Sequence, residues 1–232
     1  MVERASPSIY RLKHDPHSSH SLILSRLGEG RGRKLLDVGA ADGFLAERLT
    51  AQGFTVTALE RDPALAARAR GRCKTVVVAD LETAPPLLDG PFDAIVYGDV
   101  LEHLSDPRAV LVALCRTLAP GGTVIVSVPN VAHLWIRLSL LAGRFDYGDR
   151  GILDRTHLRF FTRRTFVAFL REAGLAVDEL RVTPAPLPLV VPARWHGPWL
   201  DRLHGVSARA ARLWPGGLAY QFVAVCRPAG GA

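Results

Sequence analysis

Residues 35–44, LLDVGAADGF, constrain this chain more than any other stretch, because an apolar run passes through an acidic, glycine-rich turn straight into a helical pattern. The segment 34–38 is short, apolar and bounded by Gly39, which suits a strand buried on both faces. Phe44, Leu45 and Leu49 follow at helical spacing, with Asp42 as the expected N-cap. Gly39 and Gly43 lack a Cβ and accept positive φ, so the turn can bring main chain against a ligand near a helix N-terminus.

The ligand class follows from what the turn lacks. A dinucleotide fingerprint needs glycine at the first, third and sixth positions, and the string here is Gly39, Ala40, Ala41, Asp42, Gly43, Phe44, which argues against NAD. A second apolar run, 54–59, ends at Glu60, where a carboxylate at a strand end can accept both hydroxyls of a ribose. The expected ligand is a nucleoside without a pyrophosphate.

These residues resemble the first motif and the acidic ribose-binding position of the class I S-adenosylmethionine (SAM)-dependent methyltransferases. The resemblance continues through VVVADLETAP, FDAIVYGDVLEHL and APGGTVIVSVPN in the family's order, covers residues 33–130, and resumes in the last two strands. It implies an α/β, Rossmann-like fold with a seven-stranded, mostly parallel sheet in the order 3-2-1-4-5-7-6 and an antiparallel last strand. It also implies SAM as cofactor, held by Asp37, Gly39, Ala40, Ala41, Gly43, Glu60, Arg61, Asp80, Leu81, Gly98 and Asp99. Asp80 and Leu81 would lie at the adenine, and Gly98 and Asp99 at the methionine end.

With 232 residues, 48% of them hydrophobic, the chain can bury one substantial core, so a single domain over 1–232 is expected. Residues 1–29, where Leu22, Ile23 and Leu27 share a helical face, are expected to cap the cofactor, with His14, His17 and His20 in solvated or capping roles rather than on a metal. No N-terminal apolar signal and no membrane-spanning run is apparent, so a soluble, cytoplasmic protein is expected. Cys73, Cys115 and Cys226 form no CxxC pair and read as buried small hydrophobes. The net charge of +7 rests on scattered arginines, with Lys13, Lys34 and Lys74 the only lysines; without a basic arm or an RNA-binding module, nucleic acid is not the expected partner.

Further helices are expected from Pro63 to a stop at Gly71, over 107–118 with Val110, Leu111, Leu114 and Leu118 facing the sheet, and over 162–173 with Phe166, Phe169 and Leu170 buried. Strands are expected at 175–182 and 218–226. Two insertions, 131–159 and 184–217, interrupt the alternation and are where acceptor-specific residues belong. The first contains HLWIRLSLLAGRF, an expected amphipathic helix with Leu134, Leu138 and Leu141 on one side. The second carries Trp195, Trp199 and Trp214 among prolines and aliphatics. Both fit a substrate lid; the alternatives are a homodimer contact or peripheral contact with a membrane surface.

SAM carries its own activation in the sulfonium, so methyl transfer asks mainly for in-line positioning, with a base to take the proton from an oxygen acceptor. Asp99, Glu102 and His103 in GDVLEHL fall at the carboxyl end of the fourth strand, where one helical turn would bring them together. This group resembles the ExxEH segment of ubiquinone-pathway O-methyltransferases and small-RNA 2′-O-methyltransferases, which binds a divalent cation, with Asp99 in place of the first glutamate. His157, in DRTHLRFFT, matches the further histidine of the RNA enzymes. The preferred reading assigns no metal: Glu102 and His103 form a hydrogen-bonded pair, His157 or His103 is the general base, and His133 is a secondary candidate. Ser127 to Asn130 does not fit the Asn-Pro-Pro-aromatic motif of amino methyltransferases. The tract GRFDYGDRGILDRTHLRFFT resembles a region of bacterial methyltransferases of polysaccharides and natural products, which implies a small hydroxylated or glycosyl acceptor lined by Tyr147, Asp149, Asp154, Arg155 and His157. A metal-assisted RNA 2′-O-methyltransferase and a non-catalytic SAM-binding regulator are the alternatives.

Overall fold

A computed structural model describes residues 15–83, 86 and 88–230. Its seven strands are β1 (Lys34–Val38), β2 (Thr55–Glu60), β3 (Thr75–Val78), β4 (Phe92–Gly98), β5 (Leu118–Pro129), β6 (Leu175–Thr183) and β7 (Gln221–Pro228). They form one sheet in the order β3-β2-β1-β4-β5-β7-β6, in agreement with the expectation. The first five are parallel, and β7 runs antiparallel between β5 and β6.

The helices are α1 (Ser19–Leu27), α2 (Phe44–Ala51), α3 (Pro63–Ala69), α4 (Pro107–Cys115), α5 (Leu134–Leu141), α6 (Arg163–Glu172), α7 (Leu187–Val190), α8 (Pro198–Leu213) and α9 (Pro215–Leu218). Successive residues of a strand point to opposite faces, and β1 shows the consequence. Leu36 and Val38 join Ile95, Tyr97, Val126, Leu111, Phe166 and Leu170 on one side, whereas Leu35 joins Ile23, Leu27, Leu45, Leu49 and Val96 on the other. Both faces are covered, as continuous apolar parallel strands require. The chain order reverses between β1 and β4, which opens a crevice at their carboxyl ends.

Several local expectations are corrected. Leu118 ends no helix: α4 stops at Cys115, the Thr117 carbonyl accepts from Phe92 N–H at 2.8 Å, and Leu118 becomes the first residue of β5 opposite Phe92. Sheet pairing outcompetes one more helical turn. Asp42 is not the N-cap of α2; Gly43 is, in the left-handed region at φ 83°, while the buried Asp42 carboxylate lies 3.8 Å from the Arg72 guanidinium, itself stacked on Phe44. The last strand begins at Gln221 rather than 218, because α9 occupies Leu218. In α5 the buried side chain is Ile136, and Leu138 and Leu141 are exposed.

The helix expected in the N-terminal segment is present. α1 is a layer helix whose Ile23 and Leu27 enter the core, capped by the Ser18 hydroxyl on Ser21 N–H. His14 and Lys13 lie outside the described residues, as do Pro85 and the rest of 1–14. His17 rests on the ring of His204, and the Asp15 carboxylate meets His204 Nε2 at 2.7 Å, which fastens α8 to the start of α1.

Candidate functional site

At the tip of β1 the chain turns through Gly39 (φ 68°), Ala41 (φ 49°) and Gly43 (φ 83°). The N–H groups of Gly39 and Ala40 both donate to the Leu59 carbonyl, at 2.8 and 3.0 Å. A Cβ on Gly39 would sit 2.6 Å from a Val100 methyl, so glycine is demanded there by both space and φ. Glu60 is buried at the end of β2, where one carboxylate oxygen accepts from Ala41 N–H at 2.8 Å and the other from Asp62 N–H at 2.9 Å. It braces the turn. Each oxygen keeps a further lone pair, so the same carboxylate can accept a ribose hydroxyl.

Beneath this turn the Asp37 carboxyl is buried, and its Oδ2 makes no hydrogen bond. Burial, aided by the charge of Glu60, pushes its pKa up to about 7. An unpartnered acid under a main-chain cradle fits a cationic donor such as the ammonium of SAM, which would satisfy that oxygen and favour its ionised form.

A pH signature follows from this burial. A carboxyl raised from 3.8 to about 7 holds its proton longer in the folded state than in the unfolded one, so it subtracts stability progressively as pH rises through that window. Asp37→Asn is therefore expected to stabilise the cofactor-free protein at pH 8 by roughly 2–4 kcal/mol, with the difference vanishing near pH 4. Thermal melts across pH check it; equal melting temperatures at pH 8 would refute the strained carboxyl.

Asp99 follows β4 in the left-handed region (φ 58°), and its partners differ from those expected. One oxygen accepts from Ser127 Oγ at 2.6 Å and the other from Gln221 Nε2 at 2.8 Å, so β5 and β7 fix it. Leu101–His103 is a single 3-10 turn, not an extension that stacks Asp99 on Glu102 and His103. Gly98 pairs with Ser127 beside it. On the β3 side, Asp80 is exposed and accepts from Glu82 N–H at 3.0 Å, with Leu81 half-buried and Arg61 exposed. Glu82 in turn takes the N–H and hydroxyl of Ser105, bonds that hold its carboxyl below the ordinary range.

The first insertion delivers His157 to the 3-10 turn. Leu158 and Arg159 N–H both donate to the Glu102 carbonyl, at 2.8 and 3.0 Å, and the rings of His103 and His157 meet edge to face at 4.7 Å. The tautomers follow from the partners. His157 Nδ1 lies 3.1 Å from the Ile152 carbonyl, which can only accept, so Nδ1 carries the proton and Nε2 is the basic nitrogen. Thr156 gives its one hydroxyl proton to Asp154 at 2.7 Å, so toward His103 Nδ1 both its hydroxyl, at 3.0 Å, and its carbonyl accept. His103 Nε2 is then basic as well. Burial, then the neighbouring His157, lowers the His103 pKa and keeps that imidazole neutral. At Asp154 burial opposes ionisation, but the Thr156 hydrogen bonds outweigh it and the pKa falls.

Glu102, His103 and His157 bring one ligand atom each within 4.8 Å of one another, a donor set suited to a divalent cation. Asp99 is not part of it. His133 is the N-cap of α5 and accepts from Trp135 N–H through Nδ1, which leaves a protonated Nε2 in the neutral ring and removes it as a base. Of the expected acceptor-lining residues, Asp149 and Arg155 pair with each other on the surface at 3.0 Å, whereas Tyr147 packs with Phe145 and Phe160 beside His157. Ser127, Gln221 and Thr156 were not anticipated; a polar residue inside an apolar strand, as Ser127 is in VIVSVP, was the available signal.

Residues 13–180 match the family described as the methyltransferase domain. A ubiquinone biosynthesis O-methyltransferase of Xylella fastidiosa (strain 9a5c) is 33% identical over 160 residues, which cover 64% of this chain and 63% of that protein. The chain thus spans less than two thirds of that relative. A protein of the same name from Caulobacter sp. (strain K31) is 33% identical over 197 residues, covering 81% of this chain and 71% of its own. Among solved structures, the [4+2]-cyclase SpnF shares the fold with a TM-score of 0.60 at 22% identity, over 90% of this chain and 80% of its own.

Proposed function

The chain belongs to the SAM-dependent methyltransferases, and on that premise we propose that it methylates a hydroxyl oxygen of a small acceptor. The observation that carries this reading is the tautomer of His157, whose Nδ1 proton is committed to the Ile152 carbonyl so that Nε2 can take the acceptor's proton. Bound SAM supplies an electrophilic methyl on a sulfonium. Glu60 and the 39–43 turn would hold the ribose, Asp80 and Leu81 the adenine side, and Asp37, Gly98 and Asp99 the methionine end. Tyr147 and Phe160 would shape the acceptor side. The relatives are named for ubiquinone biosynthesis, whereas the tract around Tyr147 favoured a glycosyl acceptor; a small molecule bearing a hydroxyl is common to both.

The test is release of S-adenosylhomocysteine from SAM in the presence of phenolic and glycosyl acceptors. Release with a hydroxylated acceptor supports the proposal. Calorimetric binding of SAM with no release for any acceptor would favour a regulatory protein instead.

The Glu102–His103–His157 donor set favours a second reading, a metal-assisted 2′-O-methyltransferase of RNA. Chelation separates the two: activity on a small acceptor that survives chelation leaves His157 as a base, whereas loss restored by manganese makes it a ligand.

A further inference from the structure

We propose that the two insertions form a docking surface for an anionic bilayer. All four tryptophans of the chain lie in them, and Trp135, Trp195, Trp199 and Trp214 are 70%, 58%, 51% and 48% exposed. That is contrary to the usual fate of the largest apolar side chain. In α8, Leu200, His204, Ala208 and Ala211 face the protein, and the His204–Asp15 contact fixes that rotation. The opposite face then carries an exposed stripe at helical spacing, Trp199, Leu203, Val206 and Leu213, with Arg202 and Arg209 along one flank.

α5 adds to the same region. Arg137 donates to the Gly216 carbonyl at 3.0 Å, which joins α5 to α9 immediately after α8. Apart from the buried Ile136 and the half-buried Leu134, the helix leaves its large apolar residues in solvent: Trp135, Leu138, Leu140 and Leu141 are all exposed. None of the described helices is long and apolar enough to cross a membrane, so the surface would lie on the bilayer.

Charge selects the occupant. Segments 131–144 and 184–217 contain six arginines, no lysine and one aspartate, a net +5 of the chain's +7. Indole rings prefer the boundary between headgroups and acyl chains, and guanidinium groups pair with lipid phosphates, so exposed tryptophan beside arginine matches that boundary. A second copy docked on the same face would oppose one +5 surface to another. Nucleic acid would neutralise the arginines but leave Leu141 and Leu213, 85% and 88% exposed, without an apolar partner. The proposal is independent of the acceptor and of the base.

The experiment is flotation of the purified full chain with vesicles of phosphatidylcholine alone and of phosphatidylcholine mixed with phosphatidylglycerol. Binding to the mixed vesicles only, weakened by added salt and accompanied by a shift of tryptophan emission to shorter wavelength, is expected. Replacing Arg202 and Arg209 together by glutamine should weaken it about tenfold or more, since each juxtamembrane charge contributes on the order of 1 kcal/mol, with SAM affinity and thermal melting unchanged. No flotation with either vesicle would overturn the proposal, as would equal flotation with both. A concentration-dependent dimer dispersed by Leu203→Glu would also overturn it, giving the face to a second copy. If the double variant fails to fold, the salt dependence and emission shift of the native chain decide.

Discussion

Replacing Glu60 by alanine is expected to weaken cofactor binding and loosen the tip of β1 in one step. Its buried carboxylate is the acceptor for two main-chain N–H groups, those of half-buried Ala41 and of Asp62, so truncation takes the acceptor from both. A hydrogen bond to a charged acceptor is worth about 1.5–3 kcal/mol, and loss of the bond to a ribose hydroxyl comes in addition. SAM affinity measured by calorimetry should therefore fall on the order of 100-fold or more, with a lower melting temperature. Glu60→Gln is the informative companion. It preserves shape and one acceptor but turns an NH₂ toward one of the two N–H groups, so it should fall between wild type and alanine in both measurements. Unchanged SAM affinity in the alanine variant would end the ribose assignment.

The contrast between Glu60 and Asp99 shows how far the sequence carries. Glu60 was legible because the features that place it are local: an apolar run ends there, and the glycine turn lies one parallel strand away. The sheet order followed likewise from short apolar runs in a recognisable succession. Asp99 was legible as a strand-end carboxylate, but its partners were not. Ser127 is 28 residues away and Gln221 is 122 away, and only the insertion of β7 between β5 and β6 brings that glutamine across. The expected stack of Asp99 on Glu102 and His103 assumed a regular helix. The positive φ at Asp99 and the single 3-10 turn depend on how the chain leaves the sheet, which local propensity does not encode.

The apolar insertions were legible only in part. Helical spacing in α5 identified the helix and the side that carries Leu134, Leu138 and Leu141, but not that Ile136 is the side chain it buries, because periodicity predicts a buried face only when some other element is there to receive it. Asp37 was read as a ligand residue from its place in the motif. That one of its oxygens has no partner, and that its pKa is raised as a result of burial, could be learned only from packing.

For His157→Ala, we expect turnover on a hydroxylated acceptor to fall by about 10²–10³-fold, within the usual contribution of a positioned general base, while SAM affinity stays at the wild-type value. The separation follows from the architecture: Glu60 and the turn residues belong to β1, β2 and the start of α2, whereas His157 arrives on the first insertion, which is hydrogen-bonded to the Leu101–His103 turn. His103 is the nearest substitute, with a neutral ring and a basic Nε2 of its own, so the residual rate should fall further in a His103→Ala, His157→Ala variant. Base and cation ligand are then told apart by pH. A general base gives a rate that rises to a plateau once it is free of its proton, and glutamine, which cannot take the proton, should abolish that dependence without restoring rate. A His157→Gln enzyme that kept wild-type turnover and the same pH profile would remove this histidine from the chemistry, and the neutral tautomer fixed by Ile152 would be a packing arrangement alone.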